Sequence, residues 1–209
     1  MNARNAHRLG APGYRLVRWL VTSGAASLYA ATEVPGGQPV AIKIFHRADA
    51  AGIARLEQRL RVNAKLSHPN IVAIGETGRT ADGRLFHSMP LLLGFEQVRH
   101  DLRGRPRRIA ALLRDLLNGL DYAHRCGMVH GAIRPSNVLF DKRRRARLAD
   151  FGIAHCAAEA GSSNPPASRY LSPEQARGDP PDPRSDLYAI GMLAYQLLTD
   201  GARIQARNA

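Results

Sequence analysis

Cysteine is scarce in this sequence: only Cys126 and Cys156 occur among its 209 residues. Two cysteines cannot build the disulfide framework that stabilises many small secreted proteins, so the chain fits a reducing compartment better. Long apolar runs are also missing, because the most apolar stretch, residues 187–198, lies between two aspartates. A helix needs roughly 20 residues to cross a bilayer, so we expect no membrane span.

A secretory signal is a further absence. The first ten residues include arginines, but no apolar run follows them, and a signal peptide requires such a run. The hydrophobic fraction of 44% is nevertheless high enough for a folded core. We therefore expect a folded cytoplasmic protein.

Lysine is rare as well, and arginine carries most of the net charge of +13. A strongly basic chain favours acidic partners, so we expect a protein partner with an acidic surface. Aromatic residues make up only 6% of the chain and do not alternate with the basic ones, which disfavours nucleic acid binding. For the charge itself we favour the interpretation that the arginines simply cover solvated faces. The sequence leaves the oligomeric state open.

Basic residues are concentrated in two clusters, residues 103–108 and residues 142–147. Either cluster could bind an acidic protein, a phosphate group or RNA. A solvated turn is the more common origin of such a charge run, and this is the interpretation that we favour from the sequence.

The first half of the chain is dominated by β-prone runs and turn residues. Residues 51–66 carry Ile53, Leu56 and Leu60 at helical spacing, which predicts one helix in this half. Strands are predicted at residues 14–21, 27–32, 39–45, 71–75 and 84–89. The first half is therefore expected to form an antiparallel meander with one helix.

The second half is mainly helical. A broad leucine stripe predicts a helix over residues 108–124, and a second apolar run predicts a buried helix over residues 185–198. Short strands are predicted at residues 138–140 and 146–149, and a loop rich in glycine, serine and proline follows from residue 152. The composition shift near Gly94 indicates two lobes and an α+β fold.

Five short motifs follow one another in a characteristic order and spacing. They are Val40-Ala41-Ile42-Lys43, the run from His130 to Asn137, Asp150-Phe151-Gly152, Ser172-Pro173-Glu174 and Ser185-Asp186-Leu187-Tyr188. Each motif is weak alone, but their order and spacing together are specific. On these residues the chain resembles the protein kinase family, and residues 170–178 resemble the bacterial kinases of the eukaryotic type.

The resemblance implies a domain plan. It covers residues 14–200, with a small antiparallel β lobe at 14–89, a hinge at 90–94 and a helical large lobe at 95–200 that lacks the family's last helices. Residues 1–13 and 201–209 are expected to be tails. One face of the helix at 185–198 is then expected to be uncovered.

The resemblance also implies a site for ATP and Mg²⁺. Lys43 would contact the phosphates, and Asn137 and Asp150 would supply the amide and carboxylate oxygens that Mg²⁺ prefers. The remaining residues implied to bind the nucleotide are Leu20, Gly24, Leu28, Ala41, Pro90, Leu92 and Leu139. Any of these residues could instead have a purely structural role, but their joint register favours a nucleotide site.

Ala132 departs most clearly from the family pattern, because it stands at the position of the catalytic aspartate. A methyl group cannot accept the proton of a substrate hydroxyl, and a lost general base typically costs about 10²–10⁴-fold in rate. Arg134 stands at the position of the family's lysine, which keeps the charge but changes its geometry.

Further departures lie in the small lobe. Arg59 occupies the position of the glutamate that pairs with the strand lysine, and Glu57 is two residues away, so the sequence leaves open which of them faces Lys43. The glycine-rich loop keeps only Gly24, which predicts a weakened phosphate cover.

Three hypotheses follow from these residues. The leading one is a catalytically impaired kinase-like protein that binds ATP and Mg²⁺ and acts as a regulatory or scaffolding partner in signalling. The second is an active but slow serine/threonine protein kinase, and the third is a non-functional truncated fragment. Whether the chain is an enzyme, and which substrate or partner it has, cannot be decided from the sequence.

Overall fold

The computed structural model describes residues 10–23, 26–46, 49–153 and 168–199. The chain divides into two compact units, and each contains segments from distant parts of the sequence. The first comprises Met1–Leu92 with Gly152–Pro165, and the second comprises Leu93–Phe151 with Pro166–Ala209. The first is mainly an antiparallel sheet and the second is mainly helical, which confirms the α+β fold class.

Among its described residues, the sheet unit contains five antiparallel strands in the order β1-β2-β3-β5-β4. Alternation of side chains along the strands places one row in a core of mainly aliphatic residues, which includes Leu16, Tyr29, Ile42, Ile44 and Phe86. The strands are β1 Tyr14–Ser23, β2 Ala26–Glu33, β3 Pro39–Phe45, β4 Thr77–Arg79 and β5 Leu85–Pro90.

Helix α1 covers Ala50–Asn63 and packs on this sheet. Its first turn is capped by Asp49, whose side chain accepts a hydrogen bond of 2.7 Å from the backbone of Gly52. Leu56 and Leu60 are buried against Phe45. The helix ends three residues before the predicted residue 66, because the last backbone amides bond three residues back and tighten the final turn.

The prediction of a strand at residues 71–75 was wrong. The strand β4 begins only at Thr77. Gly75 approaches β5 so closely that a Cβ on it would lie 2.4 Å from the hydroxyl of Ser88. Ile71 and Val72 are buried, and the run forms no strand beyond an isolated bridge at Ile71, so its apolar residues reflected burial more than strand pairing.

In its described residues, the second unit contains four helices and a small three-stranded sheet. Helix α3 buries one stripe of leucines and packs against α5 and β8. The elements are β6 Leu93–Gly94, α2 Phe95–Leu102, α3 Pro106–Arg125, β7 Val138–Phe140, β8 Ala146–Leu148, α4 Pro173–Ala176 and α5 Pro183–Leu198. The described residues of this unit also form two short 3₁₀ turns, Pro135–Asn137 and Ser168–Tyr170.

Helix α2 was absent from the sequence-based prediction. Its buried residues Phe95, Val98 and Leu102 follow helical spacing, but eight residues give a weak periodic signal. Gln97 caps its start by accepting a hydrogen bond of 2.8 Å from the backbone of Gly94. Residues 93 and 94, which the sequence assigned to the hinge, pair with β7 and so belong to this unit.

Helix α5 exposes part of its apolar surface, as predicted. Leu187 and Leu198 keep 50% and 61% of their surface exposed, while Leu193 is fully buried. In the described part of the chain, no helix is long and apolar enough to cross a membrane.

Candidate active site

Lys43 lies on the third strand of the sheet unit, where the side-chain register groups it with apolar residues. Ala41 and Lys43 point to the same face of β3 because they are two residues apart. Leu28 on β2 is the direct cross-strand neighbour of Lys43, so its side chain is on this face too. Lys43 is buried, and its Nζ lies 5.7 Å from the centre of the Phe45 ring.

The glutamate of helix α1 bonds to the neighbouring strand β4. Glu57 forms an ion pair of 2.6 Å with Arg79 of β4. The side chain of Arg59 extends over Gly152: a Cβ on Gly152 would lie 3.5 Å from the Arg59 guanidinium. Gly152 has a φ of +64°, a conformation that favours glycine. The arginine therefore packs against Gly152, the last residue of the Asp-Phe-Gly motif.

The other predicted nucleotide residues are distributed over both units. In the sheet unit, Leu20 and Leu92 are half-buried, and Pro90 is exposed at the end of β5, where it pairs with Val40. Leu139 is half-buried on β7 of the second unit. Gly24 lies outside the described residues.

In the second unit, Asp186 braces the loop that contains Ala132. Its carboxylate is buried and accepts backbone hydrogen bonds from His130 at 2.9 Å and from Gly131 at 2.8 Å. It also lies 2.8 Å from Nε2 of His124. The first two contacts fix the first residues of the loop to the start of α5, and the third joins α5 to the last turn of α3.

His130 holds the same loop from within. Its Nε2 donates to the carbonyl oxygen of Ala149 at 2.9 Å, and its Nδ1 accepts from the backbone amide of Ala132 at 3.3 Å. Burial lowers the pKa of His130 below its ordinary value, although Asp186 and Asp150 oppose this shift. The imidazole is therefore neutral at pH 7, with one nitrogen donating and the other accepting.

Ala132 has a fixed backbone and no polar side chain. Its carbonyl oxygen accepts a hydrogen bond of 2.9 Å from the side-chain amide of Asn137. Asn137 is buried, and its backbone carbonyl oxygen accepts a hydrogen bond of 2.9 Å from the backbone amide of Ala149. The loop thus keeps its framework around a position where no carboxylate can take a proton.

Asn137 and Asp150 lie at the same end of the β7–β8 hairpin, because the bond from Ala149 to Asn137 extends the hairpin pairing beyond β8. Asp150 has a φ of 69°, which carries its side chain out of the regular strand direction. One amide and one carboxylate suit Mg²⁺ that is also held by phosphate oxygens. In the described part of the chain, no group of three or more His, Cys, Asp or Glu side chains could hold a metal alone.

The comparisons with known proteins decide the family. The protein kinase domain family matches residues 20–209. The chain belongs to the protein kinase family. Among curated relatives it is 35% identical to the serine/threonine-protein kinase PknL of Mycobacterium tuberculosis, over 86% of this chain and 47% of that protein.

Two further bacterial relatives agree with this assignment. The serine/threonine-protein kinase pkn3 of Myxococcus xanthus is 30% identical over 89% of this chain and 37% of its own length. A probable serine/threonine-protein kinase of Streptomyces coelicolor is 35% identical over 89% of this chain and 30% of its own length. The chain thus spans less than half the length of these kinases.

Sequence reasoning missed one residue that holds this kinase loop. The side chain of Gln175 donates to the carbonyl oxygen of Gly131 at 2.9 Å and accepts from the backbone of Ser172. The signal was present, since Ser172 and Gln175 have the spacing of a helix capping box. Gly131 is therefore held by Asp186 on one side and by Gln175 on the other.

Arg134, which the resemblance places at the family's lysine position, lies three residues before Asn137. Its Nε is buried and, in the described part of the chain, has no hydrogen-bond partner. A buried donor without a partner is costly, and a bound anion would supply the missing acceptor.

Proposed function

We propose that this protein is a catalytically impaired member of the protein kinase family that binds ATP with Mg²⁺ and acts by binding a partner in signalling. The observation that carries the proposal is the contrast at Ala132. Its backbone is held by His130 and Asn137, while its side chain lacks the carboxylate that would take a proton from a substrate hydroxyl.

The residues for nucleotide binding have distinct roles in this proposal. Lys43 offers its ammonium to the phosphates from a rigid central strand, and Asn137 and Asp150 offer oxygen ligands to Mg²⁺. Bound Mg²⁺ neutralises phosphate charge. Leu20, Leu28, Ala41, Leu92 and Leu139 offer apolar surface to the base, Pro90 offers its carbonyl, and Gly24 is the one glycine of the phosphate cover.

Arg134 has a separate role toward the transferred phosphate. Its buried, unpartnered Nε is a donor that an anion would satisfy. Charge near the γ-phosphate is therefore retained at this position, although a planar guanidinium differs from the family's ammonium in geometry.

A slow serine/threonine protein kinase is the second candidate. It is favoured by the complete bracing of the loop, since Asp186 and Gln175 hold Gly131 from two sides. Phosphoryl transfer depends mainly on positioning and on neutralising charge, so a well-held loop would support some turnover without a base.

Thermal unfolding with and without Mg·ATP tests the nucleotide half of the proposal. We expect millimolar Mg·ATP to raise the melting temperature of the wild type, because a ligand that binds only the folded state stabilises it. Asp150→Ala should lose this shift. Asp121→Ala removes an exposed aspartate on α3 and should keep it. No shift in the wild type would remove ATP from the proposal and leave a pure interaction protein.

The same unfolding curves address the third hypothesis, a non-functional fragment. A single sharp transition indicates a cooperatively folded protein and contradicts that hypothesis. A broad, featureless transition would support it, whatever ATP does.

A further inference from the structure

The helical unit brings its two basic clusters together on one surface. Residues 103–105 connect α2 to α3, residues 106–108 begin α3, and residues 142–145 lie in the turn between β7 and β8. An ion pair of 3.3 Å joins Arg144 of the turn to Asp101 of α2. Arg108 donates to the carbonyl oxygen of Asp101 at 3.3 Å. We call the exposed basic residues of both segments the basic surface: Arg103, Arg105, Arg107, Arg108, Lys142, Arg143, Arg144 and Arg145.

The acidic residues beside these two segments do not balance the positive charge. Residues 101–108 and 141–147 together contain nine basic side chains and two acidic ones. Asp101 is paired with Arg144, and Asp141 is paired with Arg145 and Arg147. Within the described part of the chain, no ion pair is formed by Arg105, Arg107, Lys142 or Arg143. An excess of exposed positive charge remains.

The turn that carries half of this surface has a fixed shape. Asp141 is buried and accepts backbone hydrogen bonds from Arg143 at 2.8 Å and from Arg145 at 3.0 Å. Arg144 adopts a φ of 61° within it. A turn that is ordered before binding loses little conformational entropy when a partner binds.

We propose that the basic surface binds an acidic segment of a partner protein. Eight of the nine basic side chains are arginines, whose guanidinium groups form paired hydrogen bonds with carboxylates. The contact between Arg144 and Asp101 shows one carboxylate already held at this surface. The proposal shares the partner-binding half of the proposed function and does not depend on nucleotide binding.

Two other classes of partner fit this surface less well. Neither segment contains an aromatic residue, so the surface lacks the stacking platform on which proteins bind single-stranded nucleic acid. Leu102 and Ala146 are buried, so neither adds to the exposed apolar surface that accompanies basic residues at a lipid interface.

Binding of a fluorescein-labelled polyglutamate peptide to the full chain, measured by fluorescence anisotropy, tests this proposal. A fourfold variant should weaken peptide binding by at least about tenfold. In this variant glutamine replaces Arg105, Arg107, Lys142 and Arg143. The control replaces four exposed arginines elsewhere in the same unit with glutamine, and should change affinity less than about threefold. These control arginines are Arg114, Arg125, Arg177 and Arg184.

Asp101→Asn supplies an independent measurement that does not depend on the fourfold variant. Removing this carboxylate releases Arg144, so the peptide should bind more tightly than it does to the wild type, and higher salt should weaken that binding. The proposal is overturned if the wild type does not bind the peptide, or if both fourfold variants lose the same amount of affinity. It is also overturned if Asp101→Asn binds the peptide more weakly than the wild type does. Tighter binding of polyuridylate RNA or of phosphatidylserine vesicles than of the peptide would also overturn it. The two proposals fail independently. A wild type whose melting temperature does not respond to Mg·ATP should still bind the peptide with the same affinity.

Discussion

At the scale of single residues, the loop around Ala132 owes its shape to buried polar contacts rather than to the side chain of Ala132. The motif His130 to Asn137 was visible in the sequence, and so was the missing carboxylate. The contact from Gln175 to Gly131 was not predicted, because a capping pattern indicates a local bond and not a second one 44 residues away. The sequence also left open which residue the Arg59 side chain contacts, since its contact with Gly152 depends on the tertiary structure.

Replacing Asp186 with alanine should destabilise the protein strongly. The variant leaves the backbone amides of His130 and Gly131 buried or half-buried without their acceptor. Hydrogen bonds to a charged group contribute about 1.5–3 kcal/mol each, so we expect the free energy of unfolding to fall by at least about 3 kcal/mol. Urea denaturation measures this change, and a loss of less than about 1 kcal/mol would contradict the bracing role.

His130 should make stability depend on pH. Burial lowers its pKa in the folded state below the ordinary 6.5, so below that pH the unfolded chain binds a proton that the folded chain does not. The free energy of unfolding should therefore decrease as pH falls below about 6.5, by at most about 1.4 kcal/mol per pH unit for this residue.

Urea denaturation between pH 7.5 and pH 5 checks this dependence, with His130→Gln as the comparison. The variant should show a shallower decrease than the wild type. Carboxylates with lowered pKa, such as Asp82 at about 2, lose their contribution at lower pH and do not interfere. An identical slope in both proteins would contradict the assignment to His130.

At the scale of helices and strands, long periodic segments were predictable and short or interrupted ones were not. The stripe on α3 and the alternation in β1 to β3 gave element type correctly, with bounds shifted by a few residues. Helix α2 is too short for a clear period, and β4 begins after Gly75, where close approach to Ser88 determines the chain path.

Helix α1 should depend on its buried leucines far more than on its surface ion pair. Leu60 is fully buried, so Leu60→Ala should lower the free energy of unfolding by about 3 kcal/mol. Glu57 and Arg79 keep 31% and 48% of their side chains exposed, so Glu57→Ala should cost less than about 1 kcal/mol. Urea denaturation compares the two variants, and a larger loss for Glu57→Ala would show that the ion pair to β4 positions this helix.

At the scale of the whole molecule, the net charge of +13 should oppose the folded state. Positive charges repel one another more strongly in the compact chain than in the unfolded one, and salt screens this repulsion. We expect the melting temperature to rise when sodium chloride is increased from about 20 to about 300 mM. A fall in melting temperature over this range would indicate that ion pairs, such as those of Asp141, outweigh the repulsion.

The family and the fold were both predictable from the order of the motifs, because several weak signals in register are jointly specific. The structural effect of the residues that depart from the family pattern was not predictable, because it depends on which contacts remain around them. The structure retains the contacts of His130, Asn137 and Asp186 around Ala132. Our central claim is therefore that the loop around Ala132 keeps its framework of buried hydrogen bonds but lacks a proton acceptor.

Transfer of radiolabelled γ-phosphate from Mg·ATP, compared between the wild type and Ala132→Asp, tests that claim most directly. If the framework is intact, the restored carboxylate should raise the rate by about 10²-fold or more, and Asp150→Ala in the same background should abolish it. A wild type that transfers phosphate within about threefold of Ala132→Asp would contradict the claim. So would a carboxylate variant that binds Mg·ATP and gains no activity.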